Sequence, residues 1–96
     1  MAPHLEVWGR EGVTIIALDS ARVAVGRAND NDVVIDDAAT SRRHLVFERL
    51  AAGWSVRDLG STNGTTVNGA ALTGSRPLYR DDQIVAGQTK IVYRND

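Results

Sequence analysis

Apolar and polar residues alternate along this chain in short runs, each stopped by a turn. His4-Leu5-Glu6-Val7-Trp8 alternates strictly and predicts a half-buried strand. After a turn at Gly9–Gly12, the β-branched run Val13-Thr14-Ile15-Ile16-Ala17-Leu18 predicts a second strand. Arg22-Val23-Ala24-Val25 stops at Gly26, and the polar loop Arg27–Asp32 leads into a short strand, Val33-Val34-Ile35. Asp36–Thr40 is a loop that closes on Ser41-Arg42-Arg43-His44. Leu45–Glu48 and Trp54–Arg57 are strands joined by a turn at Ala51-Ala52-Gly53. Thr65-Thr66-Val67, Gln83–Ala86 and Thr89–Arg94 complete the set, with an Asn68-Gly69 turn after the first of them. Ala70–Arg80 has no clear pattern, and Pro77 argues against a central strand there. No window sustains an i, i+3, i+4, i+7 pattern for three turns, so the chain is all-β, a sandwich or a barrel. Trp8, Phe47 and Trp54 are expected in its core.

The densest polar stretch is Asp58-Leu59-Gly60-Ser61-Thr62-Asn63-Gly64-Thr65. Asn and Asp bond their own backbone, Ser and Thr do so more weakly, and Gly supplies positive φ, so this is turn chemistry. Its hydroxyls, amide and backbone N–H groups are all donors, which suits an anionic oxygen.

Composition narrows the classes that remain. Hydrophobic residues make up 43% of the 96 and charged residues 24%, a globular balance for one domain over residues 1–96. The formal net charge of −1 gives the whole molecule no pull on nucleic acid or acidic membrane, so any anion must be held by a local cluster. With no cysteine, disulfides, thiolate metal sites and Cys nucleophiles are excluded. No apolar run approaches the roughly 20 residues of a membrane-spanning helix, and the first residues lack a signal pattern, so the cytoplasm is the default compartment. A monomer is the default assembly.

Three loops are rich in donors: one with Arg27 after Gly26, one with Ser41, Arg42, Arg43 and His44, and one with Ser61, Thr62, Asn63 and Gly64. The strand count between them brings them to one end of a sandwich. Guanidinium forks, hydroxyls and an amide there fit a phosphate carried on a peptide. In this order, Gly26-Arg27, Ser41-Arg42-Arg43-His44, Ser61-Thr62-Asn63-Gly64-Thr65 and Asn68-Gly69 resemble the signature of the forkhead-associated (FHA) domain. Each motif alone is common; the four in order are specific, and the resemblance extends over nearly the whole chain.

The resemblance implies a two-sheet antiparallel β-sandwich that binds phosphothreonine-containing proteins in Ser/Thr-kinase signalling, without catalysis, cofactor or metal. It also implies that Arg27, Ser41 and Arg42 bind the phosphate, Thr62 adds a contact, and Asn63 bonds the peptide backbone. Gly26, His44 and Gly64 would support the site, and Arg43 is expected outside it. FHA domains usually sit inside longer signalling proteins, so the phosphorylated partner, a kinase or its substrate, can also be a segment of the parent chain. Three rival readings differ in class. A hydrolase built from Ser41, His44 and Asp58 lacks a legible oxyanion site. A nucleic-acid binder lacks basic charge and aromatic interleaving. A protein scaffold indifferent to phosphate is the alternative that sequence leaves open.

Overall fold

The computed structural model describes residues 3–95. Eleven strands follow one another among these residues: β1 His4–Gly9, β2 Gly12–Ala17, β3 Arg22–Gly26, β4 Val33–Val34, β5 Leu45–Leu50, β6 Gly53–Asp58, β7 Thr65–Val67, β8 Ala70–Ala71, β9 Ser75–Pro77, β10 Gln83–Ala86 and β11 Thr89–Arg94. They form two sheets, one in the order β2-β1-β11-β10-β7-β8 and the other β4-β3-β5-β6-β9. Period-two alternation sends one set of side chains inward from each strand. Leu5 and Val7 of β1, Ile84 of β10 and Ile91 and Tyr93 of β11 meet Val23 and Val25 of β3, Leu45 and Phe47 of β5 and Trp54 and Val56 of β6 in one buried cluster. Of the sandwich and the barrel that the pattern left open, this is the sandwich, as the family resemblance implied.

Three details depart from the expectation. Trp8 is not a core residue: it is 44% exposed, with the Lys90 ammonium 4.9 Å from its ring centroid. The cause is the strand's own alternation, since Leu5 and Val7 face inward and so Trp8 must face out. The second departure is β3 and β4, which pair in parallel, Val25 with Val33 and Gly26 with Val34, in an otherwise antiparallel sandwich. Third, the unpatterned stretch Ala70–Arg80 contains β8 and β9, both at sheet edges. Pro77 ends β9 on such an edge, where a missing N–H is tolerated. Asn68 (φ 52°) and Gly69 (φ 86°) form the hairpin turn between β7 and β8 that the Asn-Gly pair predicts.

Candidate functional site

The β3–β4, β4–β5 and β6–β7 loops are laced together by backbone bonds beyond the ladder. Arg27 N–H donates to Ser41 O (3.0 Å), Ala28 N–H to Arg42 O (3.1 Å) and His44 N–H to Val25 O (3.0 Å). The close approach needs a glycine: a Cβ on Gly26 would lie 2.1 Å from Arg42 O. Leu59 N–H donates to His44 O (2.9 Å), which brings in the third loop.

Side chains finish the framework. The His44 side chain is fully buried, its Nδ1 accepts the Ser41 N–H (3.0 Å), and its Nε2 lies 2.9 Å from Gly64 O. A backbone N–H can only donate, so Nδ1 carries no proton and Nε2–H donates to Gly64. Both ring nitrogens are thus engaged with backbone, and neither contacts Ser41 Oγ, which instead accepts the Thr62 N–H (3.0 Å). Gly64 takes φ +80°, a conformation that favours glycine.

Asp58 organises the stretch that holds Thr62 and Asn63. Its carboxylate accepts N–H bonds from Gly60 (2.7 Å) and Ser61 (2.8 Å) and hydroxyl bonds from Ser61 (2.7 Å) and Thr65 (2.6 Å). Burial pushes its pKa up, but the hydroxyls of Thr65 and Ser61 and the two N–H groups outweigh burial and hold it at about 2, against the ordinary 3.8. Because the folded value is the lower one, the stabilisation is complete above the unfolded pKa and fades as pH falls toward the folded one. At about 1.4 kcal/mol per unit, the stabilisation is roughly 2 kcal/mol. Asp58→Asn is expected to lower the thermal midpoint at neutral pH and to remove most of the acid-induced loss between about pH 4 and 2. Thermal denaturation against pH checks this; an identical pH profile for wild type and variant rejects it.

Two arginines adjoin Ser41, Arg42 next to it in the chain and Arg27 through the backbone bond to Ser41 O. Arg27 is exposed, and its Nε donates to the carbonyl of the buried Thr40 (3.0 Å). Arg42 is exposed as well. Among the described residues neither forms an ion pair, whereas Arg43 is matched by Asp30. Two arginines on loops bonded to each other thus carry charges without a carboxylate partner, on a chain of net charge −1. Asn63 is exposed and donates through Nδ2 to Ala39 O (2.9 Å), which joins the β6–β7 loop to the β4–β5 loop.

Three supporting residues were not visible in the sequence. Asn31 donates from Nδ2 to both Ala28 O and Arg42 O (2.8 Å each), so one amide clamps the loop of Arg27 to that of Arg42. Thr40 supplies the carbonyl that holds Arg27. Asp37 accepts the N–H of Gln88 (2.6 Å) and of Ala39 (2.9 Å), which ties the β4–β5 loop to the β10–β11 turn. The Gln88 bond is the main reason that its pKa lies below the ordinary carboxylate value.

The FHA domain family profile matches residues 23–87, the segment that contains all of these loops. The chain belongs to the FHA domain family. Its curated relatives include an oxoglutarate dehydrogenase inhibitor of Corynebacterium jeikeium, 40% identical over 78 residues, which are 81% of this chain and 54% of that protein. The glycogen accumulation regulator GarA of Mycolicibacterium smegmatis is 36% identical over 79% of this chain and 48% of its own length. This FHA domain therefore spans about half the length of these relatives. Among solved structures, an FHA domain studied for phosphothreonine-dependent interactions superposes with a TM-score of 0.89 at 30% identity, covering all of this chain and 98% of that one. The FhaA FHA domain, solved in complex with the intracellular domain of Rv3910, superposes with a TM-score of 0.87 at 31% identity over 97% of this chain and all of that one. Family membership also sets the coarse class, a binding module rather than a catalytic fold.

Proposed function

We propose that this FHA domain binds phosphothreonine-containing segments of proteins in Ser/Thr-kinase signalling. One observation carries the reading: Arg27, bonded through its backbone N–H to Ser41 O, and Arg42, next to Ser41 in the chain, have no ion-pair partner among the described residues, on loops locked together by the Gly26, Asn31 and His44 contacts. In this reading Arg27, Ser41 and Arg42 hold the phosphate through charge-assisted bonds, Thr62 adds a contact, and Asn63 bonds the main chain beside the phosphothreonine. Gly26, His44 and Gly64 keep the three loops in place. The solved relatives point the same way, one described by phosphothreonine-dependent interactions and another, Mycobacterium tuberculosis EmbR, solved with a phosphopeptide.

The domain acts by binding and not by catalysis. His44 is committed to two backbone groups and Asp58 to the turn it organises, so neither serves Ser41 as a base or an orienting acid. No helix among the described residues is long and apolar enough to cross a membrane, and kinase-dependent partners fit a cytoplasmic setting. The partner is a phosphorylated kinase or kinase substrate, or a phosphorylated segment of a parent protein that carries residues 1–96 as a single FHA domain. Titration of a phosphothreonine peptide library against its unphosphorylated counterpart tests the reading. Affinity near the micromolar range for the first, with loss of at least about 100-fold for the second, is expected. Equal binding to both would show a scaffold indifferent to phosphate.

A further inference from the structure

An asparagine followed by glycine is prone to lose its side-chain amide. The glycine nitrogen has no neighbouring side chain to shield it, and glycine tolerates the backbone angles of a five-membered imide ring. The chain has two such pairs, Asn63-Gly64 in the β6–β7 loop and Asn68-Gly69 in the β7–β8 hairpin. All four residues are exposed, and neither glycine N–H has a hydrogen-bond partner among the described residues. What separates the pairs is the hold on the asparagine side chain, which must swing onto the next backbone nitrogen for the ring to close.

Asn68 is held from both sides. Its Nδ2 donates to the carboxylate of the buried Asp82 (2.9 Å), and its Oδ1 accepts the Gln83 N–H (2.9 Å). Ring closure there breaks a charge-assisted bond and leaves the Gln83 N–H without its acceptor. Asn63 has a single bond, from Nδ2 to the neutral carbonyl of Ala39 (2.9 Å), and its Oδ1 has no partner among the described residues. Each bond that must open first lowers the population of the reactive orientation several-fold. The structure thus guards one pair and leaves the other free to react.

We propose that Asn63-Gly64 is a site of spontaneous deamidation, and that the reaction switches off the anion site it borders. Hydroxide removes the Gly64 amide proton, and the nitrogen attacks Asn63 Cγ. As the new N–Cγ bond forms, the Cγ–Nδ2 bond breaks; Nδ2 takes a proton from water and leaves as ammonia, which restores the hydroxide. Water then opens the imide, giving aspartate by attack on Cγ and isoaspartate by attack on the main-chain carbonyl. Nothing is oxidised or reduced. Both products replace a neutral donor by a carboxylate, which can only accept. The bond to Ala39 O is therefore lost, and two acceptors face each other where the β6–β7 loop meets the β4–β5 loop. On the proposed function, on which this consequence rests, the amide that bonds the peptide main chain is gone and the new charge repels the phosphate.

Incubation of the folded chain for days at mildly alkaline pH tests the site, with peptide mass mapping and enzymatic methylation of isoaspartate as readouts. Asn63 is expected to convert at least about tenfold faster than Asn68, and faster still as pH rises. In denaturant, where no tertiary bond holds either side chain, the two are expected to convert at similar rates. Equal rates in the folded chain, or an Asn63 that stays intact while the denatured chain converts, overturns the proposal. The more acidic product, separated by anion exchange, and Asn63→Asp, checked for folding by circular dichroism, are then titrated with a phosphothreonine peptide beside the intact chain. Both are expected to bind at least about tenfold more weakly. Products that bind as well as the intact chain overturn the switch. An intact chain that ignores the peptide instead fails the proposed function, and the switch with it, while the mapping still decides where the chain reacts.

Discussion

Arg27→Ala is expected to abolish measurable phosphopeptide binding while leaving the thermal midpoint within a few degrees of wild type. Two charge-assisted bonds to a phosphate, at about 1.5–3 kcal/mol each, correspond to roughly 100- to 1,000-fold or more in affinity. The folded state loses little by comparison. The Arg27 side chain is exposed, and its one internal bond, from Nε to Thr40 O, has a net value of about 1 kcal/mol. Calorimetric titration and thermal denaturation on the same sample separate the two effects. Retained affinity in a folded variant rejects Arg27 as a phosphate ligand.

The residue before it is expected to behave in the opposite way. Gly26→Ala places a methyl group 2.1 Å from Arg42 O, 2.8 Å from Arg42 C and 3.0 Å from Asn31 Nδ2. Two of these atoms are backbone, so relief requires the β3 end and the β4–β5 loop to separate. The bonds between Ala28 and Arg42 and between Arg27 and Ser41 would stretch with them. Overpacking of this kind destabilises by about 1–3 kcal/mol, which for a domain this small lowers the midpoint by roughly 5–20 °C. Binding should fall as well, because the separated loops are the ones that carry Arg27 and Arg42. A variant with an unchanged midpoint would show that the loops yield without strain. Adjacent positions thus divide the site into a contact that touches the ligand and a contact that permits the geometry.

Nine of the eleven strands were legible because alternation and turn residues are local properties, whereas β8 and β9 are short edge strands in the unpatterned stretch Ala70–Arg80. The same alternation in His4–Trp8 contained the outward placement of Trp8, but aromatic size suggested the core, and the strand period prevailed. The members of the candidate site were legible as a family pattern, Arg27 and Ser41-Arg42 before Thr62-Asn63. What supports them was not. Asn31 acts on Arg42 O, 11 residues away, and Asp37 on Gln88 N, 51 residues away. Their partners are backbone atoms, which any residue type supplies, so no side-chain pattern marks the pair. An asparagine and an aspartate in polar loops read equally well as turn formers. Arg43 shows the converse, since only the placement of Asp30 explains why one of two neighbouring arginines is neutralised.

His4 at one end of the chain pairs with Arg94 near the other, and β11 lies between β1 and β10 in the larger sheet. Within its own sheet the β1–β2 hairpin is therefore joined to the other strands only through β11, the last strand of the domain to be made. Nearly the whole chain must be closed into a loop before these contacts form, and loop closure is entropically opposed. Folding is accordingly expected in the millisecond-to-second range of all-β topologies. During synthesis, the apolar outer edge of β2 and the inward side chains of β1 emerge first and wait longest for cover. The period of greatest vulnerability to aggregation thus falls before the ribosome releases Thr89–Arg94, and it ends with the pairing of a single strand.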